Sequence, residues 1–276
     1  MKHMLRLTDY SIDELTKIIN IADEITLGNY KDILKDKTVV MFFPASSIRT
    51  RVTFEKGINL LGGQTILFPT ETLDKKEAIQ DVIGYLNNWA DLIIVRHKNI
   101  ALLEEIARYS KVPVINAMTD VNHPCEILSD LYSLSKIRSD YLQAKYLFCG
   151  TDGNIGRAWK EASDVFGFSL EQCCKAGYEI PDVKAYEDIN DAIIGKDIVC
   201  TDSLPEGYST KYKNVQVTKT VMAKANEGAL LNPCPPFYRG EEVSANVIDS
   251  DYFVGYEFKK SLLNVQQAIM VYCLKF

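Results

Sequence analysis

Apolar residues along the chain fall into short runs separated by amphipathic stretches. Residues 38–43, 64–68, 91–95, 112–115, 145–149, 197–201, 228–231 and 252–256 form runs of strand length, rich in β-branched and aromatic side chains. Between them, residues 11–25, 51–61, 76–89, 126–137 and 156–166 place apolar side chains at helical spacing, and Gly62 and Gly167 follow two of these stretches as helix stops. The alternation predicts an α/β protein, with mostly parallel sheets flanked by helices. No repeat, low-complexity tract or Pro/Ser-rich linker marks a boundary. The chain is expected to divide into residues 1–138 and 139–256, followed by a C-terminal helical stretch, 257–276, able to pack on either part.

Composition narrows the class without changing this picture. The 276 residues are 47% hydrophobic and 25% charged, which suits two globular domains of ordinary size. A formal net charge of −6 supplies no bulk positive field for nucleic acid or an anionic membrane. No apolar run approaches the roughly 20 residues of a membrane span, so a cytoplasmic location is expected. Seven scattered cysteines without a C-x-x-C pair read as reduced thiols. The three histidines, His3, His97 and His123, lack metal-ligand spacing, and neither metal nor cofactor is expected.

The chemistry begins where Met41-Phe-Phe-Pro-Ala-Ser-Ser-Ile-Arg-Thr-Arg51 runs from an apolar strand into a hydroxyl- and arginine-rich turn that opens a helix. Unsatisfied N–H groups at a helix start carry the positive end of the dipole. Ser47 and Thr50 can donate from their hydroxyls, and Arg49 and Arg51 match phosphate oxygens. The plainer reading makes Ser47 a helix cap and leaves both arginines in solvent. Position at a strand's C-terminal end favours an anion site.

A second turn, Phe148-Cys-Gly-Thr-Asp-Gly-Asn-Ile-Gly-Arg157, invites comparison with dinucleotide sites. Its glycines at 150, 153 and 156 give G-x-x-G-x-x-G instead of G-x-G-x-x-G, a weak match to a pyrophosphate turn.

Ser47-Ile48-Arg49-Thr50-Arg51 resembles the Ser-Thr-Arg-Thr-Arg phosphate loop of the aspartate/ornithine carbamoyltransferase family, with Ile48 in place of threonine. His123-Pro124-Cys125-Glu126 is similar to its His-Pro-x-Gln motif, with Glu126 replacing glutamine. Pro233-Cys234-Pro235-Pro236, trailed by Arg239-Gly-Glu-Glu-Val243, resembles the ornithine-type His-Cys-Leu-Pro segment. The resemblance implies two domains with the active site in the cleft between them, the first for carbamoyl phosphate and the second for an amino-acid acceptor, in a homotrimer with shared sites.

It also implies roles. Ser47, Arg49, Thr50 and Arg51 hold the phosphate, and Arg96 and His123 polarise the carbamoyl carbonyl. Glu126 and the carbonyls of Cys234 and Pro235 take the carbamoyl NH2. Asn154 and Arg157 meet the acceptor, the arginine at its carboxylate, while Asp202 meets its α-ammonium. Within Thr72-Leu-Asp-Lys-Lys-Glu77, Lys76, or else Lys75, enters a neighbouring subunit's phosphate site; the plainer reading is a solvated charge cluster.

The implied reaction moves a carbamoyl group onto the side-chain amine of an ornithine-like diamino acid. Two rival readings stand beside it: a catalytically weak paralogue that binds a metabolite or partner, suggested by Ile48, Glu126 and Leu262 where the family has arginine, and an NAD-binding oxidoreductase resting on Gly150–Gly156.

Overall fold

The computed structural model describes residues 2–205, 207–208 and 213–276. They form two compact units, Met1–Ser133 with Lys259–Phe276, and Leu134–Phe258.

In the first unit, helix α1 (Ile12–Thr26) precedes strand β1 (Thr38–Phe42), α2 (Arg49–Leu60), β2 (Gln64–Phe68), α3 (Ile79–Leu86), β3 (Leu92–Arg96), α4 (Ile100–Tyr109), β4 (Val114–Met118) and α5 (Pro124–Ile137), within which the chain leaves the unit. The strands form one parallel sheet in the order β2-β1-β3-β4. Unbroken apolar sequence in β1 and β3 suits strands covered on both faces, and their residues Val39–Phe42 and Leu92–Val95 are buried. The register of β3 against β4 slips between Val95 and Arg96. Such an irregularity re-aims the side chain at a strand end.

Ser11 caps α1, its hydroxyl accepting from Glu14 N–H while the Glu14 carboxylate accepts from Ser11 N–H. The expected helix at residues 76–89 begins later, at Ile79, with residues 75–77 in a bend ahead of it. Helix α4 lies outside the expected helical stretches. Its start is fixed by Asn99, whose side chain accepts from Ala101 N–H at 3.0 Å.

The second unit holds β5 (Lys145–Cys149), α6 (Asn154–Phe166), β6 (Ser169–Cys173), β7 (Lys184–Tyr186), β8 (Ile198–Thr201) and β9 (Leu230–Pro233), all parallel in the order β7-β6-β5-β8-β9. Strands β6 and β7 escape apolar-run reading because their sequences are polar. Gln172 of β6 is nevertheless fully buried. Its amide nitrogen donates to Gly150 O at 2.8 Å and Tyr178 O at 3.1 Å, and its oxygen accepts from Ile180 N–H at 2.7 Å. The strand expected at 252–256 is instead a single bridge, Phe253 to Leu231. Gly255, at φ +81°, then turns the chain into the 3-10 turn Tyr256–Lys260.

The C-terminal helix Ser261–Lys275 belongs to the first unit and packs on α1 and α2. Gln267 donates to Gly57 O at 3.1 Å, an approach that a side chain at Gly57 would crowd. No helix among the described residues is long and apolar enough to cross a membrane.

Gly150 and Gly156, two of the three spaced glycines after β5, have a packing cause. A Cβ at Gly156 would come within 2.6 Å of Phe148 and 2.7 Å of Ile180, and one at Gly150 within 2.8 Å of Phe148. Both neighbours are buried side chains, so Gly156→Ala is expected to destabilise the protein by about 1–3 kcal/mol through overpacking. A denaturant midpoint unchanged from the parent would show that this contact yields without cost.

Candidate active site

In the first unit, the chain leaves β1 through Pro44, Ser47 N–H donates to Pro44 O at 3.0 Å, and α2 begins at Arg49. Ile48 is the residue at the N-cap and makes no side-chain cap bond. Ser47 is therefore not the cap, and the first N–H groups of α2 face outward without helical partners. Ser47 and Thr50 are buried, whereas Ile48 is 70% exposed.

Arg96, at the irregular end of β3, fastens this turn. Its Nη1 donates to Ser47 Oγ and to Thr50 Oγ1, both at 3.1 Å. Each hydroxyl accepts from the guanidinium, which leaves its own proton to be given to an anion. Arg51 Nε donates to Glu55 Oε1 at 2.8 Å one turn along α2, a partly exposed pair, and Arg49 is exposed.

Two supports escaped sequence reading. Buried His97 accepts at Nδ1 from Asn99 N–H at 3.1 Å, so its proton resides on Nε2, which donates to Asp74 Oδ1 at 3.0 Å. Thr70 Oγ1 donates to Arg96 O at 2.7 Å. Together they tie the 3-10 turn Thr70–Asp74 to the end of β3, and Lys75 and Lys76 follow it exposed in the bend. The other support precedes His123. Asn122, fully buried, accepts from Asn116 Nδ2 at 2.7 Å and donates to Leu5 O at 3.2 Å. An asparagine in a loop gives no sequence sign of such a network.

His123 stands at the start of α5, 5% exposed, with Nδ1 buried and lacking a hydrogen-bond partner. Burial drives its pKa down to about 4; the Glu126 carboxylate opposes the shift, and Arg96 and Lys259 add to it. It is a neutral imidazole near pH 7. Glu126, on the same turn, accepts from Lys259 Nζ at 2.8 Å, and burial, which raises its pKa, is overridden by the Lys259 ammonium, so the carboxyl titrates below its ordinary value. Lys259 was not among the residues singled out from sequence.

In the second unit, the named residues gather at the C-terminal ends of β5, β8 and β9. Asn154 opens α6. Arg157 forms a two-pronged pair with Asp152, Nε to Oδ1 at 2.6 Å and Nη2 to Oδ2 at 2.7 Å, so one edge of its guanidinium is already occupied. Asp202 follows β8 and accepts at Oδ1 from Ser203 N–H at 2.9 Å. Its Oδ2 lies 4.0 Å from where a Cβ on Gly153 would stand. Cys234 N–H donates to Thr201 O at 2.9 Å, which sets the Cys234 and Pro235 segment beside the end of β8.

Comparison with known proteins adds independent findings. Residues 2–136 match the model for the aspartate/ornithine carbamoyltransferase carbamoyl-P binding domain, and residues 143–273 that for the Asp/Orn binding domain. Ornithine carbamoyltransferase from Pelobacter propionicus is 31% identical over 297 residues, covering 98% of this chain and 97% of that protein. The protein of the same name from Geobacter sulfurreducens is 29% identical over 303 residues, with both chains covered completely. Among solved structures, ornithine carbamoyltransferase from Burkholderia thailandensis superposes with a TM-score of 0.91 at 29% identity, covering 100% of this chain and 99% of that one.

Proposed function

Because the chain belongs to the aspartate/ornithine carbamoyltransferase family, we propose that it transfers the carbamoyl group of carbamoyl phosphate to the side-chain amine of an ornithine-like diamino acid and releases phosphate. The observation that carries this reading is Arg96 bonded to both Ser47 and Thr50 at 3.1 Å, one guanidinium spanning the anion turn. Beside it stands the neutral imidazole of His123, on which Arg96 acts electrostatically.

Ser47, Arg49, Thr50 and Arg51 anchor the phosphate. Arg96 and His123 polarise the carbonyl, while Glu126 and the backbone carbonyls of Cys234 and Pro235 accept from the carbamoyl NH2. A neutral amine attacks, the tetrahedral oxyanion is held by the same donors that polarised the carbonyl, and phosphate departs. Gly150 and Gly156 are accounted for by close packing on Phe148 and Ile180, and the remaining match to a dinucleotide turn is the weak G-x-x-G-x-x-G spacing, which does not favour the nicotinamide reading.

Asp202 is assigned to the acceptor's α-ammonium, with Asn154 and Arg157 toward its carboxylate. Asp152 already neutralises one edge of Arg157, so Asp202 carries the larger share of selection. An α-amine held protonated against Asp202 cannot attack, which leaves the side-chain amine as nucleophile. The active form on this reading is a homotrimer in the cytoplasm, in which exposed Lys76, or Lys75, enters a neighbouring phosphate site. Burial of all seven cysteines as free thiols suits a reducing compartment.

Steady-state carbamoylation of ornithine, 2,4-diaminobutyrate, 2,3-diaminopropionate, lysine, putrescine and aspartate tests the assignment. The highest kcat/KM is expected for a diamino acid. Preference for aspartate or putrescine would remove the roles of Asp202 and Arg157. No carbamoylation of any amine, with carbamoyl phosphate still bound, would leave the paralogue reading.

A further inference from the structure

Glu126 and Asp130 lie one turn apart on α5 with side chains only 8% and 2% exposed. Two carboxylates buried so deeply lose hydration and repel each other. One cation meets both. Lys259 Nζ donates to Glu126 Oε1 at 2.8 Å and to Asp130 Oδ1 at 2.6 Å, from the turn Tyr256–Lys260 that leads into the C-terminal helix. The same ammonium is close enough to act on His123, as is Arg96, and Arg49 acts on Glu126. The triad therefore belongs electrostatically to the anion turn.

A carboxylate at 126 is chemically different from the amide that the motif resemblance implies. Ionised, it only accepts hydrogen bonds, which suits an NH2 group and penalises a methyl in its place. It also adds negative charge beside a phosphate dianion. We propose that Lys259 is a positioning residue for carbamoyl phosphate: held between Glu126 and Asp130, it aims the Glu126 carboxylate at the carbamoyl NH2 and cancels the charge that would oppose the phosphate. This rests on the carbamoyl-transfer reading.

Lys259→Met is expected to weaken carbamoyl phosphate binding by about tenfold or more, because two buried carboxylates then lose the ammonium held between them and their negative charge opposes the phosphate. KM should rise more than kcat falls. Lys259→Arg, which keeps the cation, should stay within about threefold of the parent. Adding Glu126→Gln to Lys259→Met should recover part of the affinity relative to Lys259→Met alone, since of the two carboxylates that Lys259 meets only Asp130 is then charged. Calorimetry with carbamoyl phosphate, alongside steady-state KM, reads all three.

Parent-like binding by Lys259→Met overturns the proposal, as does a double variant no tighter than the single, which would make Lys259 a strut between α5 and the C-terminal turn. A parent protein that binds no carbamoyl phosphate overturns the functional reading itself. Should Lys259→Met fail to melt cooperatively, the all-neutral E126Q/D130N/K259M protein carries the test. It should bind within about tenfold of the parent, as neutral replacements of buried ion networks often fold, and a folded triple variant without binding overturns the compensating role.

Discussion

Replacing Arg96 by alanine is expected to cost about 3 kcal/mol of carbamoyl phosphate binding, a loss of roughly 100-fold, with kcat lowered as well. Three losses coincide. On the proposed roles, the phosphate loses a cation and the carbonyl oxygen a polarising donor. The hydroxyls of Ser47 and Thr50, 4% and 5% exposed, lose the guanidinium that orients them. An arginine on the surface of a strand end would show none of this. Arg96→Lys tests geometry separately from charge, since an ammonium cannot reproduce the planar fork. It should recover part of the affinity and little of the turnover. Calorimetry gives the binding loss and thermal melting the structural cost. Affinity for carbamoyl phosphate within threefold of the parent would detach Arg96 from the anion turn.

Much of this fold is legible from sequence where burial is expressed through apolar side chains, although β2 is equally legible with no fully buried residue. Strands β1, β3, β5 and β8 read correctly because both faces are covered and the sequence must be apolar. Strand β6 did not, because Gln172 is buried by satisfying backbone groups of Gly150, Tyr178 and Ile180 instead of by hydrophobicity. The segment after Ser250 reads as a strand because Tyr252, Phe253 and Val254 are apolar, but Phe253 N–H closes a turn onto Ser250 O and Gly255, at positive φ, ends the extended stretch after a single bridge.

The candidate site divides the same way. The strand-turn-helix placement of Ser47, Arg49, Thr50 and Arg51 is legible because those elements are contiguous in sequence. Lys259 is not, because it stands 133 residues from Glu126 and only the folded chain brings them together. Sequence alone shows glutamate where the family motif has glutamine; the fold sets the Lys259 ammonium 2.8 Å from that carboxylate. Ile48 carries no such explanation. It is exposed, and nothing among the described residues explains the loss of a hydroxyl there.

The remaining test concerns His123, whose removal should slow turnover instead of loosening substrate. On the proposed role its donor matters most as negative charge develops on the carbonyl oxygen, so His123→Ala is expected to lower kcat by roughly 100-fold or more while carbamoyl phosphate binding changes little. Equal losses in both would recast the residue as structural. Protonation state offers a second, independent readout. Burial holds the imidazole neutral, with a pKa down to about 4 from the ordinary 6.5, so the unfolded chain binds the proton first as pH falls. Its contribution to stability is therefore complete above about pH 6.5 and is lost progressively as pH falls toward about 4, by about 3 kcal/mol in all. His3, also lowered by burial, contributes in the same direction, and the comparison must be between parent and variant. Between these limits the parent's stability should fall with acid more steeply than that of His123→Ala or His123→Gln, which have no proton to take up at this position. His123→Gln, which retains an N–H donor, should also regain part of the lost kcat. Parallel stability curves would mean that His123 is not the neutral buried imidazole on which its oxyanion role depends.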